Sequence, residues 1–338
     1  MEYKFRDKVY LSTYMLDAEL FDKYNFLVED AVPIRSVFIL KTNEGLKILK
    51  KVDYKIEEIE YIYEVLNHIR RSYPYIINFK QSVEGKPYVE YEGGVYVVFD
   101  LIEGRECIYE NPVDLLGASR SLAKLHNASN GIKVKDIRNN LYKMDSNIIK
   151  KIKELNMCRD FADLHVNKTD FDRLFLEYAD YYIEQANLSL KELQESDYRK
   201  LCRDKYVLCH HDLAHHNIIV DNEDNYYFVD FDYCMIDLPY HDLCNFITKA
   251  IKHNMWNVDM ADTILQGYSM IRKLEPNELK VLYAYLLFPQ DFYDITISYY
   301  MKTRGWDEDE FFEKLKRKAE YKEDREKFLK DFKELIQI

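Results

Sequence analysis

The sequence predicts an α+β molecule of two lobes, a small β-rich lobe over residues 1–103 and a larger, mainly helical lobe over 104–338. Three observations predict it. Alternating apolar and polar residues are concentrated in the first hundred positions. Beyond Gly104 the apolar spacing becomes three to four residues. One pair of short apolar runs, within 206–232, then interrupts the helices. A chain of 338 residues with 47% hydrophobic content can bury such a core.

The elements follow in order. Residues 34–52 read as a hairpin: Ile34 to Lys41, a turn ending at Gly45, then Leu46 to Val52. Helical periodicity runs from Tyr54 to Ile69, and two strand-like runs, Lys86–Tyr91 and Val95–Ile102, flank the turn at Gly93-Gly94. The connection between lobes is expected at 102–105. Helices are predicted over Val113–Asn127 and Thr169–Ser196 and again from His241, ending in the strongly charged stretch Phe311–Ile338.

Several function classes are excluded. A formal charge of −12 is unsuited to nucleic acid or an anionic membrane, both of which need clustered Lys and Arg. The first eight residues carry charge and no apolar core, so no secretory signal is read there. No eighteen-residue apolar run exists. Six cysteines without Cys-x-x-Cys spacing imply buried or idle thiols, and synthesis in the reducing cytoplasm.

The chemistry is concentrated in Cys209-His-His-Asp-Leu-Ala-His-His-Asn217 and Val229-Asp-Phe-Asp232. Asp212 stands five positions before Asn217, and Ile218-Ile-Val220 follows directly. Asp230 emerges from the run Tyr226–Val229. A turn over Asp221–Asn225 would bring Asn217 and Asp230 to one end of a hairpin. That is the arrangement of a catalytic loop and a metal-binding acid in kinase-type phosphotransferases, so the two lobes are expected to be protein-kinase-like. Asp212 is the candidate to orient or deprotonate an acceptor hydroxyl, with His210 two residues before it. Asn217 and Asp230 are the candidate Mg²⁺ ligands, being hard oxygen donors. Either aspartate alone would more often be a solvated turn acid; the joint spacing favours the catalytic reading. Asp232 reads as a second metal ligand or as a capping acid, and Asp242 as a helix cap or loop anchor.

Strand period selects the phosphate-binding cation. Leu46, Ile48, Lys50 and Val52 share one face, which makes Lys50 a lone cation among apolar residues, whereas Lys47 and Lys51 read as solvated edge charges. The alternative for Lys50 is a snorkelling surface lysine. Its expected partner is Glu58, which shares a helical stripe with Ile62, Val65 and Ile69. The Asp100 carbonyl and Ile102 N–H are the candidates to meet the adenine of ATP, against the alternative of a merely buried strand. His210, His211, His215 and His216 admit a transition-metal reading, but the strand-and-turn context of 218–225 argues against the helical bundle that His-Asp metal phosphohydrolases use.

Taken together, these residues resemble the aminoglycoside phosphotransferase and choline kinase superfamily, within the protein-kinase-like fold. The similarity is closer to one branch, the CotS-type spore coat proteins. It covers nearly the whole chain: Val32–Phe38, Leu49-Lys50, Phe231–Leu243, Leu286-Leu-Phe-Pro289, and Tyr299-Tyr300 before Trp306. Leu122-Ala-Lys-Leu-His126 matches a helix of the wider superfamily. The resemblance implies Asp212 as acid/base, Asn217 and Asp230 as Mg²⁺ ligands, Lys50 as phosphate ligand, ATP as cofactor and a spore coat location. Two positions depart from the pattern. His211 stands where the superfamily usually has Gly, and the loop Pro33-Ile-Arg-Ser36 has no glycine. Two functions are therefore expected to compete: phosphate transfer to a hydroxyl or amine of a small-molecule or coat-component acceptor, and a non-catalytic coat assembly role with other coat proteins as partners. The 30 tyrosines are compatible with coat cross-linking and equally with core packing.

Overall fold

The alternating stretch at 34–52 contributes to three strands where one hairpin was expected. In the computed structural model, which describes residues 18–34, 37–252 and 254–337, β1 (Val28–Ile34), β2 (Val37–Thr42) and β3 (Gly45–Val52) run antiparallel. Ile34 closes β1 opposite Val37 instead of opening β2. Arg35 and Ser36 of the glycine-free loop lie outside the described residues. The turn into β3 uses Gly45 at φ +90, a left-handed conformation that costs glycine little. With β4 (Val89–Tyr91) and β5 (Gly94–Asp100) the sheet has the order β1-β2-β3-β5-β4.

One face of this sheet is core. Phe38, Leu40, Leu49, Tyr96 and Val98 pack on Leu20 of α1 (Ala18–Asp22) and on Tyr24 and Phe26. The other face, with Val37, Ile39, Ile48 and Lys50, is only partly buried and lines a cavity. The helix read over Tyr54–Ile69 is α2 (Ile56–Arg70), burying Ile59, Ile62, Val65, Leu66 and Ile69 at helical spacing.

The chain divides into two compact units. The first comprises Met1–Cys107, Gly131–Ile137 and His216–Asp232; the second holds the remainder. The 206–232 segment, expected as a whole in the helical lobe, is thus divided. Its strands β8 (Ile218–Val220) and β9 (Tyr226–Phe228) form a sheet with β6 (Arg105–Glu106) in the order β6-β8-β9. The physical reason is that β8 would otherwise leave one row of backbone groups unpaired, and β6 supplies the partners. Gly104 precedes β6 where a Cβ would collide with the Val220 carbonyl.

In the second unit β7 (Val207–Cys209) pairs antiparallel with β10 (Met235–Asp237). The helices include α3 (Pro112–Ala128), α4 (Met144–Leu164), α5 (Asp170–Gln194), α6 (Tyr198–Asp204), α7 (Pro239–Ile251), α8 (Val258–Ser269), α9 (Pro276–Leu287), α10 (Gln290–Tyr300), α11 (Glu308–Glu320) and α12 (Lys322–Leu335). Helix α4 was not anticipated: it buries only Ile148, Leu155, Cys158 and Ala162, too sparse an apolar stripe to stand out. Leu155, Cys158 and Ala162 join Phe171, Phe175, Tyr182, Phe292 and Phe311 in a core shared by α4, α5, α10 and α11. The Tyr299-Tyr300 pair locks the start of α5. Tyr300 donates to Asp172 at 2.8 Å, and the Tyr299 hydroxyl lies 3.0 Å from Thr169 Oγ1. All six cysteines are free and largely buried, as their spacing suggested.

Candidate active site

In the first unit the hairpin does what its turn chemistry prescribes. Asp221 Oδ1 accepts from the Glu223 and Asn225 N–H groups, and the Asp221 N–H donates to the Asn225 carbonyl. Register then pairs Ile218 with Phe228, and the Val229 N–H donates to the Asn217 carbonyl at 3.0 Å. Asn217 and Asp230 therefore emerge at the same end of the hairpin. Asn217 is buried, while Asp230 takes a left-handed φ of +61, which Asp tolerates better than most residues.

Lys50 meets these acids from β3. Its Nζ lies 2.8 Å from Asp230 Oδ1 and 2.7 Å from Asp232 Oδ2. Burial by itself would lower the lysine pKa, but Asp232 and Asp230 outweigh it and raise it, so the ammonium is charged. Burial pushes the Asp232 carboxyl up against the opposing pull of Lys50. Tyr54 adds a 3.4 Å hydrogen bond to Asp232 Oδ1. Asp232, ambiguous in sequence, is thus part of the charged cluster.

The same residues border a cavity of about 600 Å³. Its apolar wall comprises Val37, Ile39, Ile48, Ile77, Phe99 and Ile219; its polar end holds Lys50, Asn217, Asp230 and Asp232; and residues 100–102 form part of its edge. Asp100 and Ile102, the residues read as meeting the base, both line this cavity; within the same segment the Leu101 N–H donates to the Leu46 carbonyl and the Asp100 N–H to the Asn78 carbonyl.

Two sequence expectations are corrected. Glu58 is not among the carboxylates on Lys50. It closes a capping box at the start of α2, accepting from the Lys55 N–H at 3.1 Å, because an acid at the third helical position satisfies an otherwise unpaired donor. Lys47, read as a solvated edge charge, is 3% exposed. It lies opposite Asp100 in the β3–β5 register, 2.9 Å from its carboxylate, and donates to the Glu44 carbonyl. The cross-strand acid is what permits burial on the core face.

In the second unit, the loop 210–212 is anchored from below. His210 is fully buried, and its Nδ1 accepts from the Asp212 N–H at 3.3 Å. The His210 and His211 N–H groups donate to the two oxygens of buried Asp242 at 2.7 and 2.8 Å. His126 Nε2 lies 3.1 Å from the same carboxylate, and its Nδ1 lies 2.8 Å from the Tyr268 hydroxyl. Burial alone would raise the Asp242 pKa, yet the hydrogen bond and charge of His126, with His211 and His210, hold it far below the ordinary range. The loop-anchor reading of Asp242 has its geometry here, and His126, at the end of the segment Leu122–His126 on α3, supplies the anchor's counterpart.

Asp212 is partly exposed and forms an ion pair with Lys249 of α7. Nothing local in the sequence marks Lys249, since it is reached only through the packing of α7. His211 has φ +66, and its ring stacks on His241 with centroids 3.9 Å apart. Its Nε2 lies 3.3 Å from Asp237 Oδ2, which also accepts from Asn140 Nδ2 at 2.8 Å. Burial, then the neighbouring His211, pushes His241 down to about 4. His215 and His216, the other members of the histidine cluster weighed in the sequence, fall in the short turn leading to Asn217, and His216 borders the cavity of the first unit.

Residues 17–332 match the family described as "Spore coat putative kinase YutH". Spore coat protein S of Bacillus subtilis (strain 168) is 23% identical over 309 residues, covering 89% of this chain and 88% of that protein. Among solved structures, the aminoglycoside phosphotransferase of Alicyclobacillus acidocaldarius superposes with a TM-score of 0.84 at 17% identity, covering 96% of this chain and 97% of that one. Spectinomycin phosphotransferase APH(9)-Ia, in its complex with AMP, superposes with a TM-score of 0.64 at 18% identity, covering 87% and 90%. At these identities the solved structures establish a shared kinase-like fold. Among the described residues, no helix is long and apolar enough to cross a membrane.

Proposed function

Because this chain belongs to the spore coat kinase family described under YutH, we propose that it is a spore-coat-associated phosphotransferase that uses ATP and Mg²⁺. The acceptor would be a hydroxyl or amine of a small molecule or coat component. The observation that carries the reading is the convergence of Lys50, Asp230 and Asp232 at the polar end of an apolar-walled cavity that Asn217 also borders. An apolar slot suits a purine, and a cation beside clustered oxygen donors suits phosphates with a hard divalent ion. The carboxylates of Asp230 and Asp232 and the amide oxygen of Asn217 are the donor type Mg²⁺ prefers, so the residues fit the ion. Asn217 and Asp230 would hold it, and when bound it would neutralise charge on the phosphates. Lys50 would engage the phosphates, and residues 100–102 the base. Asp212 would orient the acceptor and take its proton; His210, buried beneath the loop, is better described as positioning Asp212 than as reacting.

A second reading, nucleotide binding without turnover in a coat assembly protein, is favoured by one observation: Lys249 already occupies the Asp212 carboxylate. Two measurements separate the readings. Mg²⁺-ATP is expected to raise the melting temperature, and Asp230→Ala to abolish the rise. A wild-type protein indifferent to millimolar Mg²⁺-ATP would remove both nucleotide readings. ADP release across a panel of hydroxyl and amine acceptors is then expected to depend on Asp212. Binding without any acceptor-dependent release would leave the assembly role.

A further inference from the structure

His211 takes a left-handed backbone conformation that a glycine would adopt without strain. What the side chain gains in return lies directly beneath it. The His211 Nε2 atom and the His241 Nδ1 atom are both buried, and neither makes a hydrogen bond. Both face Asp237, which is 1% exposed. His211 Nε2 approaches Asp237 Oδ2 to 3.3 Å without aligning as a hydrogen bond, and one ligand atom from each of the three residues lies within 4.8 Å of the others. The Tyr285 hydroxyl, whose ring is 6.1 Å from that of His241, is a further buried polar atom without a hydrogen bond. Buried polar atoms without a hydrogen bond are rare in native interiors, and two imidazole nitrogens beside one carboxylate, with the Tyr285 hydroxyl unbonded as well, call for an occupant.

We propose that His211, Asp237 and His241 form a binding site for a zinc-type divalent ion, separate from the Mg²⁺ site assigned to Asn217 and Asp230. Two imidazoles and one carboxylate are a borderline-soft donor set that suits zinc and not magnesium. A tetrahedral ion with bonds of about 2.0–2.1 Å holds its ligand atoms roughly 3.3 Å apart, the spacing of the His211–Asp237 pair. The Asn140 amide on Asp237 and the Leu238 N–H on the other oxygen, at 2.8 and 2.7 Å, orient the carboxylate as outer-shell partners do. The contrast with the other histidine group in this unit is instructive. His126, Cys209 and Asp242 are as close together, but both nitrogens of His126 and the Cys209 thiol already have partners, so that group has no donor to spare. A bound ion would fasten the turn before Asp212 to the strand-to-helix segment at 237–241.

The test is calorimetric titration of the full chain with Zn²⁺ in excess Mg²⁺, together with the visible absorption of the Co²⁺ adduct. Wild type is expected to bind a single equivalent and to show the d–d bands of a low-coordinate Co²⁺ site. His211→Gly, which suits the backbone at that position, and His241→Gln are each expected to weaken binding by at least roughly tenfold and to abolish the bands. Asp230→Ala should leave them intact. Absence of binding in wild type, or binding that both histidine variants retain, would overturn the site and leave the orphaned atoms to a bridging water.

Discussion

Lys47 and Lys50 are three residues apart on one strand and have opposite fates, and the difference lies in what stands across from each. Lys50 faces the cavity, where Asp230 and Asp232 arrive from a hairpin 180 residues away. Lys47 faces the core and is held by Asp100 on the neighbouring strand. Removing that acid should strand a buried cation. Asp100→Ala is therefore expected to cost about 2 kcal/mol, below the full cost for a wholly buried pair because Asp100 itself is partly exposed. Urea melts of the variant will measure it, and an unchanged midpoint would mean that water reaches Lys47. Asp212 calls for a kinetic experiment. As acid/base, its replacement by Ala should lower kcat by about 10²–10⁴-fold while leaving the Mg²⁺-ATP thermal shift in place. Loss of the shift as well would indicate that the loop had collapsed.

At the scale of elements, caps and turns decide where segments begin. Helix α5 opens on a reciprocal box: Thr169 Oγ1 accepts from the Asp172 N–H at 3.0 Å, and Asp172 Oδ2 accepts from the Thr169 N–H at 2.9 Å. Thr169→Ala should cost about 1 kcal/mol by losing this cap. Burial disfavours the Asp172 carboxylate, but hydrogen bonds from His165, Thr169 and Tyr300 hold its pKa below the ordinary value. A depressed folded-state pKa contributes stability that is present above the unfolded value, about 3.9 for Asp, and is lost as pH falls through the folded value. The acid limb of the stability profile should therefore be shallower in Asp172→Asn than in wild type. Identical limbs in chemical denaturation series would exclude this group. The hairpin at 218–228 and helix α5 were both legible in the sequence, since the Asp221–Asn225 turn and the Thr169 box are local signals. Helix α4 and β10 were not, because a four-residue apolar stripe and a three-residue strand carry too little pattern to be separated from loop.

For the whole molecule, the cavity of the first unit is built from positions far apart in sequence: 34, 37–50, 77, 99–106 and 216–232. If it takes nucleotide, Mg²⁺-ATP should slow hydrogen exchange in those segments together, and leave the α11 and α12 helices at 308–335 unaltered. Protection confined elsewhere would move the nucleotide out of this cavity. The core of the second unit buries Phe171, Phe175, Tyr182 and Phe292 and packs Tyr299 and Tyr300 against them in stacked and edge-on contacts. Packing and hydrogen bonding thus account for Tyr182, Tyr299 and Tyr300 without recourse to cross-linking.

By itself the sequence determined the two-part α+β composition, the hairpin that brings Asn217 beside Asp230, and the strand face that separates Lys50 from Lys47 and Lys51; kinship with the spore coat family came from the resemblance of whole motifs. The first three rest on spacing along the chain or on one strand's alternation, and such signals are local. Only the tertiary structure decided that Lys50 pairs with Asp230 and Asp232 instead of Glu58, that Lys47 is buried, that Lys249 engages Asp212, and that His211 and His241 face Asp237. Those outcomes depend on which side chains meet across strand register and helix packing. Periodicity predicts that a charged group faces inward, whereas long-range packing supplies its partner.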